Sequence, residues 1–169
     1  GTAIVNLLPL LPDESVRSII PIKSFEDGYL VFGTKKGIVK KTEISQYDTS
    51  RKNGIYAIKL SDDDDLIEVK TTTGDDDILL VTRNGKSIRF SEDDLRPMGR
   101  LASGVRGIKL KPGDQAVSLQ VLKNGNDDET YENDLTPSLL VVSRNGYGKR
   151  TAYSEYRRQK RGGSGLKTY

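Results

Sequence analysis

Leu79-Leu80-Val81-Thr82-Arg83-Asn84-Gly85 reads as an apolar strand, a hydroxyl residue, a basic residue and a turn, and the series occurs three times in a chain of 169 residues. The other copies are Leu30-Val31-Phe32-Gly33-Thr34-Lys35-Lys36-Gly37 and Leu140-Val141-Val142-Ser143-Arg144-Asn145-Gly146. Asn-Gly suits a type I′ turn, which needs positive φ at both central positions, so a tight β-hairpin is predicted at each. Working outward, a cation stands four residues past each turn glycine, as Lys41, Arg89 and Arg150. Ten residues past it stand Tyr47, Leu95 and Tyr156.

A second glycine then opens a further strand in each copy, at 54–60, 104–110 and 165–169. Another strand precedes each hairpin, from Val16 to Ile22, Leu66 to Lys70 and Ala116 to Leu122, entered through an acid such as Asp64 or Asp114. The copies run approximately over 8–60, 61–110 and 111–169, and residues 1–7 have the spacing of a closing strand from a preceding blade. Gly37 and Gly85 lie 48 residues apart and Gly85 and Gly146 lie 61 apart; the surplus falls at Lys123 to Pro137, an acidic stretch read as a solvated loop. Four short strands in roughly 45 to 50 residues is the arithmetic of a propeller blade. The expected fold is all-β, with propeller-like blades of about four antiparallel strands. Closed propellers hold about 4 to 8 blades, so this single domain is expected to be roughly three blades of a larger ring.

Hydrophobic residues make up 34% and charged residues 30%, the balance of a soluble globular protein. Cysteine and histidine are both absent, which excludes disulfides, thiolate or imidazole metal sites, and nucleophile–base pairs built on those groups. No apolar run reaches the roughly 18 residues that span a bilayer, and the N-terminus lacks the features of a secretory signal. A cytoplasmic location is expected, with no membrane partner. The net charge is only +3. It is unevenly placed, because Lys149, Arg150, Arg157, Arg158, Lys160, Arg161 and Lys167 face Glu155 alone between 149 and 169. Such a patch is the footprint of a polyanion binder.

Within that patch, Gln159-Lys160-Arg161-Gly162-Gly163-Ser164-Gly165 sets cations beside three glycines, a combination that lets a backbone approach a phosphate chain. Tryptophan is absent and the tyrosines are scattered, so duplex binding with little sequence preference is expected. The acidic runs Asp62-Asp63-Asp64-Asp65 and Asp75-Asp76-Asp77 lack the spacing of a calcium loop and read as solvated borders that repel DNA. No catalytic and no metal residues are assigned.

Taken in order, the repeats, Asn145-Gly146-Tyr147-Gly148-Lys149-Arg150-Thr151, Arg96-Pro97-Met98-Gly99-Arg100 with Gly104-Val105-Arg106-Gly107-Ile108, and the box at 159–165 resemble the C-terminal domain of the DNA gyrase A protein. The resemblance covers essentially the whole chain. It implies a β-pinwheel of about six blades with strands exchanged between neighbours, not catalytic itself, that wraps duplex DNA on a basic rim so that the holoenzyme introduces negative supercoils. It further implies the rest of the gyrase A protein and the gyrase B protein as partners in an A2B2 assembly of a bacterial, nucleoid-associated enzyme, with ATP and Mg used elsewhere in it and no cofactor here. Ser164 stands where the family's box has lysine, and the principal box of the family lies in an early blade. The DNA-binding candidates are Gln159, Lys160, Arg161, Gly162, Gly163 and Gly165, with Arg157, Arg158, Arg150, Lys149, Arg89, Lys41, Arg51, Lys52 and Arg100. A protein-binding propeller and the equivalent domain of topoisomerase IV are the alternatives.

Overall fold

All three hairpins form, but each turn is displaced by one residue from the expected one. In the computed structural model, which describes residues 1–51, 53–123 and 137–168, the Gly85 N–H donates to the Thr82 carbonyl (3.1 Å) and the Lys86 N–H to the Thr82 hydroxyl (3.2 Å). Arg83 and Asn84 are therefore the central pair, and Gly85 follows at φ 73°. This is a three-residue loop ending in a left-handed glycine rather than a type I′ turn. Thr34 repeats the two bonds with Gly37 and Ile38, and Ser143 repeats them with Gly146 and Tyr147. The hydroxyl at this position accepts the N–H just beyond the glycine and so selects the longer loop.

The strands are β1 (Tyr29–Thr34), β2 (Ile38–Glu43), β3 (Leu66–Thr72), β4 (Asp76–Thr82), β5 (Lys86–Ser91), β6 (Val105–Arg106), β7 (Ala116–Lys123), β8 (Ser138–Val142), β9 (Gly148–Ala152) and β10 (Leu166–Lys167). Short 3-10 turns are the only helical elements among the described residues. The chain is all-β with antiparallel sheets. The first sheet has the order β3-β1-β2-β6, the second β10-β5-β4-β7, and β8-β9 forms a third pair. Each four-stranded blade thus takes its central hairpin from one copy and both flanking strands from the next.

The crossing strands explain the second set of glycines. A Cβ on Gly104, before β6, would stand 2.5 Å from the Val39 carbonyl oxygen, and one on Gly165, before β10, 2.5 Å from that of Ser87. Both residues also have positive φ, at 94° and 70°. Only glycine lets the crossing chain lie so close to the hairpin it joins.

Blades pack face to face. Val31 and Val39 of the first sheet meet Ile78, Leu80, Ile88, Phe90 and Leu119 of the second, with Leu95 and Ile108 filling the seam. The outer face of the first sheet, with Leu30, Phe32 and Val69, is covered by Ile20, Ile22, Ala57 and Ile58, with Tyr47 packed beside them. On the far face of the second, Leu79, Val81 and Leu122 meet Tyr156, Leu139 and Tyr153 from the third unit. The residues ten places past each turn glycine therefore all enter cores.

Three expected strands are not formed. Segments 16–22 and 54–60 are irregular, and Ile4–Asn6 is a 3-10 turn whose Ile4 carbonyl accepts from the Leu7 and Leu8 N–H groups. In the later units the equivalents of 16–22 and 54–60 pair with the hairpin of the unit before. No hairpin precedes them among the described residues, so they pack by their apolar side chains without a ladder. The loop expected at 123–137 lies almost wholly outside the described residues.

Candidate nucleic-acid interface

The cations read as a surface track divide into anchors and exposed groups. Lys41 and Arg89, both placed on the rim by sequence, are buried, and so is Lys40. Strand alternation sends Lys40 and Lys41 to opposite faces of β2, but a neighbouring segment covers each face. Lys40 Nζ donates to the carbonyls of Ala57 (2.7 Å) and Arg100 and lies 5.1 Å from the Phe32 ring centre. Burial, reinforced by the Arg100 charge, lowers its pKa to about 8. Lys41 Nζ sits 3.5 Å from the Glu92 carboxylate and donates to the Glu92 carbonyl. The Arg89 Nε meets Asp77 Oδ2 at 2.6 Å, and Nη1 donates to the Tyr153 carbonyl at 2.9 Å. These groups stitch units together, so Lys41 and Arg89 are buried anchors rather than exposed rim cations, and Arg89 lies in the wall of the groove beside the box. Arg150 has the same register yet is exposed, no segment lying over it among the described residues.

The box at 159–165 is built onto the preceding blade. Gln159 N–H donates to the Arg89 carbonyl (2.7 Å), Gly162 N–H to Gly107 O (2.8 Å), and Lys109 N–H to Gly163 O (2.8 Å). Gly162 needs its positive φ of 81°, whereas a Cβ at Gly163 would meet only ordinary contacts. Arg158 forks onto Asp77, with Nε 3.0 Å from Oδ2 and Nη2 2.9 Å from Oδ1, while half its side chain remains in solvent. Arg161 donates from Nε to Asp94 O (3.0 Å) and from Nη1 to Arg106 O (2.6 Å). Lys160 and Arg157 are exposed.

Beside the box, a groove of about 200 Å³ opens between the second and third units. Lys149, Arg157, Gln159 and Lys167 line it with Thr151, and Glu155 is the single exposed acid there. Gln159, Arg157 and Lys149 are thus brought together. Lys167 joins them because β10 crosses to β5, a pairing that the position of Lys167 in the chain does not announce. Arg51 is exposed on the first unit, Arg100 is half-buried against the Tyr56 carbonyl, and neither lines this groove. Lys52 lies outside the described residues.

The acidic runs do structural work. Asp64 Oδ1 accepts the Lys36 N–H (2.9 Å) and Asp114 Oδ1 the Asn84 N–H (3.1 Å), each acid holding the hairpin turn of the unit before. Asp63 pairs with Lys36, and Asp65 with Arg17 at 3.2 Å. Asp76 and Asp77 are buried at the start of β4. Burial pushes the Asp76 carboxyl up, but the Lys123 ammonium at 2.8 Å and the Thr73 N–H outweigh it, leaving the pKa below the usual range.

The family model for the DNA gyrase C-terminal domain, a beta-propeller, matches residues 28–73, 76–123 and 137–169. The DNA gyrase A protein of Staphylococcus epidermidis is 47% identical over 99% of this chain, which covers 18% of that relative's length. A solved C-terminal domain of DNA topoisomerase IV superposes with a TM-score of 0.86 at 33% identity, over 99% of this chain and 49% of that one. A solved DNA gyrase A C-terminal domain does so at 0.80 and 30%, over 98% and 52%. Each matched segment begins at a hairpin and carries the register of turn, strand cation and core residue described above, and the chain belongs to the DNA gyrase C-terminal domain family of beta-propellers.

Proposed function

We propose that this chain is a non-catalytic DNA-wrapping module, supplying about three blades to a larger ring in the A protein of a bacterial gyrase. The reading rests on one observation above the rest: Lys149, Arg157 and Lys167 converge around Gln159 at the seam of two units, next to the exposed Lys160. A phosphate chain laid along that seam meets several donors at once, and smooth bending of a short duplex, on the order of 1 to 10 kcal/mol, is offset by many such contacts. Family membership supports the same reading. The full protein works in an A2B2 assembly in the bacterial cytoplasm near the nucleoid, with ATP and Mg used outside this chain. No helix among the described residues is long and apolar enough to cross a membrane.

The deciding experiment is ligation of nicked circles on the protein, followed by resolution of topoisomers. A shift in linking number is expected, together with affinity that falls steeply with salt. Salt-independent binding with no topological shift overturns the reading in favour of a protein-binding propeller. The close superposition on the topoisomerase IV domain favours a second reading, as the equivalent domain of that enzyme. Negative supercoiling with ATP by the full-length protein assembled with its B partner separates gyrase from a decatenase that only relaxes.

A further inference from the structure

The arginine of the box has a counterpart in the unit before it. Arg100 and Arg161 each stand fifteen residues beyond a turn glycine, Gly85 and Gly146. Three contacts around them coincide position by position. Arg161 Nη1 donates to the carbonyl of Arg106, two residues past Gly104, and Arg100 Nη1 donates to that of Tyr56, two residues past Gly54, at 2.6 and 2.5 Å. The Arg161 N–H donates to Asp94 Oδ2 (3.3 Å) and the Arg100 N–H to Gln46 Oε1 (3.0 Å), both acceptors lying nine residues past a turn glycine. The backbone bond from Lys109 to Gly163 is likewise matched by one from Lys59 to Ala102.

These acceptors belong to different blades. Arg106 is in β6, the edge of the first sheet, whereas Asp94 closes the 3-10 turn after β5 in the second. The Arg161 guanidinium therefore spans the joint between successive blades, with Nε on one and Nη1 on the other, while Arg100 is held through Nη1 on Tyr56 and its backbone N–H on Gln46. A lysine has no such fork.

Resting on the wrapping reading above, we propose that Arg100 and Arg161 are positioning residues that fix the angle between successive blades, and hence the curvature of the DNA path, while exposed neighbours such as Lys160 hold phosphates. Charge and angle separate in two measurements on the full-length protein: the slope of log K against log salt, and the linking-number shift at saturating protein. Lys160→Ala is expected to lower the slope by about 0.9, the loss of one phosphate contact. Arg161→Lys keeps the charge without the fork; its slope should match wild type while the saturated shift falls at least twofold. Arg100→Lys should do the same, far from the box. A wild-type shift in both lysine variants overturns the proposal, as does an Arg161→Ala slope reduced by about 0.9, which would make Arg161 a phosphate ligand. Unfolding of both lysine variants also overturns it, since the residues would then hold the whole fold rather than an angle. A wild-type protein that gives no shift sinks the wrapping reading itself.

Discussion

Gly104 and Gly54 occupy the same register, both with positive φ, at 94° and 71°, but among the described residues only Gly104 has a blade beside it. Gly54→Ala places a methyl in open space, so its cost is the left-handed backbone alone, about 1 to 2 kcal/mol. Gly104→Ala carries that cost and adds a Cβ 2.5 Å from Val39 O, 2.9 Å from Ile38 Cγ2 and 3.1 Å from Lys40 Cβ. Val39 O is backbone in a paired strand, so relief requires β6 to withdraw from β2. Overpacking of this kind adds about 1 to 3 kcal/mol. Gly104→Ala should therefore unfold at lower temperature than Gly54→Ala by the equivalent of about 2 kcal/mol, roughly 4 to 8 °C for a chain of this size. Differential scanning calorimetry of the two variants and wild type is the assay. Equal losses would mean that β6 does not cross to β2 as described, and the strand-exchanged blade would fall with it.

Lys40 gives a pH signature of definite sign. Its pKa is about 8 in the fold against 10.5 unfolded, so the unfolded chain holds more protons between those values and stability should rise with pH across that window. The gain is at most about 3 kcal/mol, and about 1 to 2 after screening; Lys40→Met should abolish it in urea melts at about pH 7.5 and 9.5. Arg89→Met leaves Asp77 buried beside Arg158 alone and should cost about 3 to 5 kcal/mol in the same melts; a loss under about 1 would show the pair to be dispensable. Ala102 stands where the third unit has Gly163, so Gly163→Ala should keep the melting temperature within about 2 °C. If it nonetheless weakens duplex binding tenfold, the backbone at 163 touches DNA; unchanged binding would remove Gly163 from the interface.

Much of the architecture can be read from spacing. Turn glycines, crossing glycines and the apolar residue ten places on are local demands on φ or on a core, and they repeat because the geometry repeats. The strand exchange is different: Gly104-Val105-Arg106 reads as a strand anywhere, and nothing in its pattern names β2 as its partner. Among the candidate contacts, the exposed cluster of Lys149, Arg157 and Lys160 is legible as charge density. Lys41 and Arg89 mislead because a cation in a strand is ordinarily at the surface. Alternation fixes the face toward which a side chain points, but not that Glu92 or Asp77 waits there. Those acids lie 51 and 12 residues away in the chain, so their pairing emerges only in three dimensions.

The crossing strands also govern the order in which the molecule can be made. Ile38 and Val39 wait for Arg106 and Val105, and Lys86 and Ser87 wait for Lys167 and Leu166. During synthesis from the N-terminus, a hairpin leaves the ribosome with one edge bare until the next unit has been translated to its end. Assembly must trail translation by a full unit, and a chaperone that shields a lone strand edge would find its substrate there.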